Sequence, residues 1–114
     1  MRYSLLITAA PDTDTPASAL HAARALLAAG HELHRIFLYR AGVGLALSGQ
    51  EVPDAARQWQ TFLDETGVDA VACIGTAERH GIGEQETAAP WRLAGLGEWV
   101  EALNASDRVL QFGA

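Results

Sequence analysis

Lysine is absent from this chain, and cysteine and methionine occur once each. Without lysine there is no Schiff-base catalysis and no Walker-type lysine to grip a phosphate. A single cysteine leaves no partner for an internal disulfide, so any sulfur chemistry must end in transfer to another molecule. No apolar run approaches the ~18 residues that a membrane span needs. The opening Met1-Arg2-Tyr3-Ser4-Leu5-Leu6-Ile7-Thr8 turns polar too soon for a signal segment. One cysteine without an export signal fits a reducing, cytoplasmic location away from membranes. Positive charge is also scarce, with eight basic residues against fourteen acids and a net charge of −6. The arginines, Arg2, Arg24, Arg35, Arg40, Arg57, Arg79, Arg92 and Arg108, are spread along the chain. Direct nucleic-acid binding, which needs clustered cations, is not expected.

What is present is a hydrophobic share of 49% in 114 residues, enough for one domain, residues 1–114, with its own core. Runs at 3–8, 31–39 (centred on the apolar residues 36–39), 68–73 and 108–112 read as strands. Between them lie helical patterns. One opens at Thr15-Pro16 and stops at Gly30, a short one covers Ala41 to Leu47, and another runs from Pro53 to Gly67 with Ala56, Trp59, Phe62 and Leu63 at helical spacing. A short helix or turn covers Thr76 to His80 and closes at Gly81. Leu93, Leu96, Trp99, Val100 and Leu103 mark a fourth amphipathic helix, and the polar stretch from Gly83 to Pro90 reads as a mobile loop. This alternation predicts an α/β fold, a three-layer α/β/α sandwich around a central, mostly parallel sheet of about five strands.

In such a sheet ligands meet the carboxyl ends of the strands. Four segments converge there: the Ala9–Thr15 loop, Tyr39-Arg40, Cys73 to Thr76, and the residues near Gly113. Cys73 stands where a strand hands over to a helix, and unpaired N–H groups at a helix start favour a thiolate. Against this, free cysteine often packs simply as a small apolar group. Arg79 and His80 offer charge near the sulfur, although a helix end favours cations in any case. Tyr39-Arg40 could line the same crevice. A flavin phosphate loop after the first strand is disfavoured by Asp12 and Asp14 and by the lack of glycine. His21, His31 and His34 have no companions at zinc-ligand spacing. No metal and no cofactor are therefore expected. Gly95-Leu96-Gly97, a fragment of a dinucleotide fingerprint, follows no predicted strand and is read as a helix entry.

Phe37-Leu38-Tyr39-Arg40-Ala41-Gly42-Val43, Cys73 six residues before Arg79-His80-Gly81, and Leu93-Ala94-Gly95-Leu96-Gly97 ahead of Asp107-Arg108-Val109-Leu110-Gln111-Phe112-Gly113 together resemble the TusD/DsrE family. The likeness runs over nearly the whole chain. It implies a sulfurtransferase that accepts sulfane sulfur on Cys73 and passes it to an acceptor protein. It implies partners too: related small subunits, TusB/TusC-like or DsrF/DsrH-like, in a heterohexamer, with a persulfide donor and an acceptor. One branch of the family serves 2-thiolation of the tRNA wobble uridine, the reading adopted here. The other serves dissimilatory sulfur oxidation, and related subunits can be non-catalytic assembly partners. This chain departs from the family pattern in its Asp- and Thr-rich first loop and its short Gly44–Val52 region.

Overall fold

The computed structural model describes residues 1–49 and 51–114; Gln50, within the short Gly44–Val52 region, lies outside the described residues. The element order is β1 (Arg2–Ile7), α1 (Thr15–Ala28), β2 (Glu32–Leu38), α2 (Asp54–Thr66), β3 (Asp69–Cys73), α3 (Ile74–Arg79), β4 (Arg92–Ala94), α4 (Gly97–Ala105) and β5 (Arg108–Phe112). Two 3-10 turns, Arg40–Ala46 and Glu84–Glu86, complete it. The five strands pair in parallel in the order β4-β3-β2-β1-β5. The expected α/β architecture is thus present, with an entirely parallel sheet.

Strand order decides how the faces are covered. The chain steps from β1 to β4 in one direction and then crosses back to β5. Right-handed crossovers in a single direction place their helices on one face, and reversal sends the next helix to the other. Accordingly Ala19, Leu20 and Ala23 of α1, Ala56, Trp59, Phe62 and Leu63 of α2, and Ala77 of α3 join Leu5, Ile7, Ile36, Leu38, Ala70 and Ala72 in one large core. The opposite face carries a small cluster, Phe37, Val71 and Cys73, with Trp99 of the nine-residue α4 packed against it.

Helix stops follow glycine as anticipated. Gly67 caps α2 at φ +69 and Gly30 follows α1 at φ +87, both in the left-handed region that glycine adopts without penalty. The Ala41–Leu47 helix is a 3-10 turn. Gly42 within it lies so close to β1 that a Cβ there would overlap the Ile7 carbonyl.

Two expectations fail. The Gly83–Pro90 stretch is not a free loop. Its backbone is tied to the turn after β2 by Ser48 N donating to Glu86 O and Ala88 N to Ala46 O, both 2.7 Å, and Ile82 and Trp91 at its ends are buried. Leu93 belongs to no helix but to β4, a strand of three residues, too short to register as a period in sequence. Gly95-Leu96-Gly97 therefore does follow a strand and forms the β4–α4 junction.

Candidate functional site

Cys73 is the last residue of β3 and the N-cap of α3. Its neighbour in the sheet is Ala94 of β4. The carboxyl ends of all five parallel strands share this rim, so the four predicted segments do converge on one edge of the sheet. The sulfur does not open onto it. Strand alternation turns Cys73 toward the α4 face, where it is only 5% exposed within the Phe37–Val71–Cys73 cluster. Leu6, Tyr39, Ala94 and Trp99 pack around that cluster, half-buried. The Phe37 and Trp99 ring centroids lie 5.8 Å apart at an interplanar angle of 39°, within the range of favourable aromatic pairs.

The predicted companions of the sulfur are distributed differently. His80 turns back on its own helix, with Nδ1 3.0 Å from the Thr76 carbonyl, so its ring serves the end of α3 rather than Cys73. Arg79 is exposed beside it. Arg40 stands at the carboxyl end of β2 with φ +51, unusual for a side chain other than glycine, and its guanidinium lies 5.7 Å from the centroid of the Tyr39 ring. Tyr39 in turn packs on the cysteine cluster. Thr76 Oγ1, one turn into α3, is buried and has no hydrogen-bond partner among the described residues.

Two hydroxyls in and beside the loop after β1 are spent on backbone carbonyls. Thr13 Oγ1 donates to Ala10 O at 2.7 Å, and Thr8 Oγ1 donates to Ala114 O at 3.1 Å. Among the described residues no three His, Cys, Asp or Glu side chains gather as metal ligands, and no helix is long and apolar enough to cross a membrane. A cavity of about 530 Å³ is lined by Ile74, Glu78, Glu84, Trp91 and Arg92 among others, but not by Cys73.

What sequence reading missed is a charged lattice beneath α4. Arg35 and Phe37 alternate along β2 and pair in register with Asp69 and Val71 of β3, which Cys73 continues, so each strand runs on this face from charge to the apolar cluster. Buried Arg35 donates Nε to Asp69 Oδ2 at 2.6 Å, and Nη1 to the Glu98 carbonyl at 2.8 Å and to Glu101 Oε2 at 2.7 Å. Arg92 donates to both Asp69 oxygens at 3.0 Å and to Glu98 Oε1 at 2.8 Å. Burial alone would raise the Asp69 carboxyl, yet hydrogen bonds from Arg92 and Arg35 hold it below its ordinary value. His34 and Arg35 lower Glu101 in the same way. Period-two spacing of these residues was the available signal.

Against known proteins, residues 1–112 match the model of the DsrE/DsrF-like family. A protein named Sulfurtransferase TusD homolog from Pseudomonas aeruginosa is 35% identical, with 99% of this chain and 98% of that protein covered. Sulfurtransferase TusD of Cronobacter sakazakii is 36% identical, covering 98% of this chain and all of its own. The ychN protein of E. coli has the same fold, with a TM-score of 0.83 at 23% identity over 98% of this chain and 100% of its own. The protein belongs to the DsrE/DsrF-like family.

Proposed function

We propose that Cys73 carries sulfane sulfur as a persulfide and hands it to an acceptor protein, which makes the chain a sulfurtransferase of a sulfur relay. The carrying observation is that the chain's only cysteine ends β3 at the rim where parallel-sheet proteins bind their ligands. In the first step the Cys73 thiolate attacks the outer sulfur of a donor persulfide, R–S–SH. The S–S bond breaks, Cys73–S–SH forms and R–S⁻ leaves. In the second step an acceptor thiolate attacks the same outer sulfur, giving the acceptor persulfide and regenerating the Cys73 thiolate. Neither step needs a metal, an oxidant or a cofactor.

Similarity to proteins named TusD supports tRNA wobble-uridine thiolation as the destination of the sulfur, in a cytoplasmic assembly with related small subunits. An apolar stripe left outside the core supports assembly: Leu96 at the N-cap of α4 and Val100 and Leu103 on it, 45–55% exposed, with Val109 of β5 also exposed. The decisive experiment is intact mass spectrometry after incubation with a persulfide donor. A gain of one sulfur atom, reversed by reductant and absent from Cys73→Ser, is expected. A thiol that alkylates freely but never gains sulfur would overturn the reading. The burial of Cys73 gives weight to a second one, a non-catalytic assembly subunit, under which Cys73→Ser leaves relay activity of the complex unchanged.

A further inference from the structure

A cysteine whose sulfur must be visited by two other proteins is 5% exposed, so part of its cover has to move. Four half-buried side chains pack on its cluster: Leu6, Tyr39, Ala94 and Trp99. Leu6 and Ala94 are in strands of the sheet, and Tyr39 follows β2 directly with its N–H bonded to the Ile7 carbonyl at 3.0 Å. Displacing the backbone at any of these breaks hydrogen bonds of the sheet or its edge. Trp99 alone rides on a separate element, and it has the largest side chain of the four.

The element that carries it is lightly held. Helix α4 has one fully buried side chain, Ala102, and leaves Val100 and Leu103 in solvent. Its attachment is polar and flanks Trp99, at Glu98 just before it and at Glu101, whose carboxylate accepts from Arg35 at 2.7 Å and pairs with His34 at 2.9 Å. The Glu98 carbonyl accepts from Arg35 and the Glu98 carboxylate from Arg92, both at 2.8 Å. Segments with few buried apolar contacts and partly exposed polar ties open at lower free energy than core elements. The sheet and the large core on its other face need not change.

Resting on the persulfide reading, we propose that Trp99 is the specificity-determining cover of Cys73. Closed, it keeps freely diffusing thiols off the sulfur, and displacement of α4 by a docked protein admits the proper one. The wrong reaction it limits is attack of a small thiolate, G–S⁻, on Cys73–S–SH, which yields G–S–SH and the Cys73 thiolate and loses the sulfur from the relay.

The test measures Cys73 alkylation by iodoacetamide, and stripping of the Cys73 persulfide by glutathione after loading with sodium polysulfide. Trp99→Ala is expected to speed both by about tenfold, equivalent to about 1.4 kcal/mol of opening free energy. Trp99→Phe should restore near-native rates, and Glu98→Gln should give a smaller acceleration. Trp59→Phe, altering the core on the opposite face, controls for general loosening. Equal rates in the native protein and Trp99→Ala overturn the proposal, as does equal acceleration by Trp59→Phe. Should polysulfide add no sulfur to the native protein or to Trp99→Ala while alkylation still depends on residue 99, the persulfide reading falls and the shielding of Cys73 by Trp99 stands.

Discussion

Arg35 and Asp69 face one another across β2 and β3, paired in register, with Nε 2.6 Å from Oδ2. Asp69 also accepts from Arg92 on β4, so one carboxylate joins three strands. Arg35 and Arg92 both reach on to Glu98, which makes Asp69 the base on which α4 rests.

Acid should loosen this arrangement. The folded-state values of Asp69 and Glu101 lie below their ordinary ones, so their stabilisation is fully present above the unfolded values, 3.8 and 4.5. It is lost as pH falls through the lowered folded values. Stability measured by urea titration should therefore decline below about pH 4.5, and Asp69→Asn should flatten that decline. At neutral pH the same substitution leaves Arg35 short of a partner. A cost of about 1–3 kcal/mol is expected, toward the lower end because the Asp69 side chain is 35% exposed. An acid limb of unchanged slope in Asp69→Asn would show that the lattice does not control it.

Gly42 should tolerate no side chain. An added Cβ meets the backbone of Ile7, which belongs to the interior strand β1 and cannot swing aside as a flexible side chain would. Gly42→Ala is expected to destabilise by about 1–3 kcal/mol, the usual range for forcing extra volume into a packed site. Gly95→Ala, at a position with open space around it, serves as the comparison in thermal unfolding. Similar melting temperatures for the two variants would contradict the close approach.

Much of this architecture was legible because it rests on local signals. Pro53, Gly30 and Gly67 punctuate helices through fixed or permissive φ, and the apolar runs of β1, β2 and β3 stand between them. The cysteine at the end of β3 followed from the same reading. The side to which its sulfur turns did not. Leu96, Val100 and Leu103 repeat as a core-facing stripe would, yet they point outward, since periodicity records a face and not what covers it. Arg35 looked like one of eight scattered charges because its partners Asp69, Glu98 and Glu101 are 34 to 66 residues away along the chain.

Arg40 offers a test of backbone strain beside the candidate site. At φ +51 any residue with a Cβ is disfavoured, whereas glycine is not. Both Arg40→Gly and Arg40→Ala lose the guanidinium over Tyr39, so that loss cancels between them. Arg40→Gly is expected to be the more stable by about 1 kcal/mol, a reversal of the order found in ordinary helices and strands. Chemical denaturation of the pair measures it. The usual order, alanine above glycine, would mean that the left-handed conformation is not held in solution.

The outward stripe on α4 carries the last prediction. Val100 and Leu103 contribute little to the core, with side chains 55% and 45% exposed. In an isolated chain Val100→Asp or Leu103→Asp should shift stability by no more than about 0.5 kcal/mol, the usual effect at a surface position. If related subunits cover this face, each substitution puts a carboxylate into an apolar contact, where an unpaired charge is strongly disfavoured. Co-expression with the related small subunits, followed by size-exclusion chromatography with light scattering, should give full assembly for the native chain and free monomer for the variants. The melting temperature of the isolated chain should stay nearly constant. Assemblies of native mass in both variants would move the interface away from α4, leaving Leu96, Val100 and Leu103 as exposed apolar surface of no consequence for the complex.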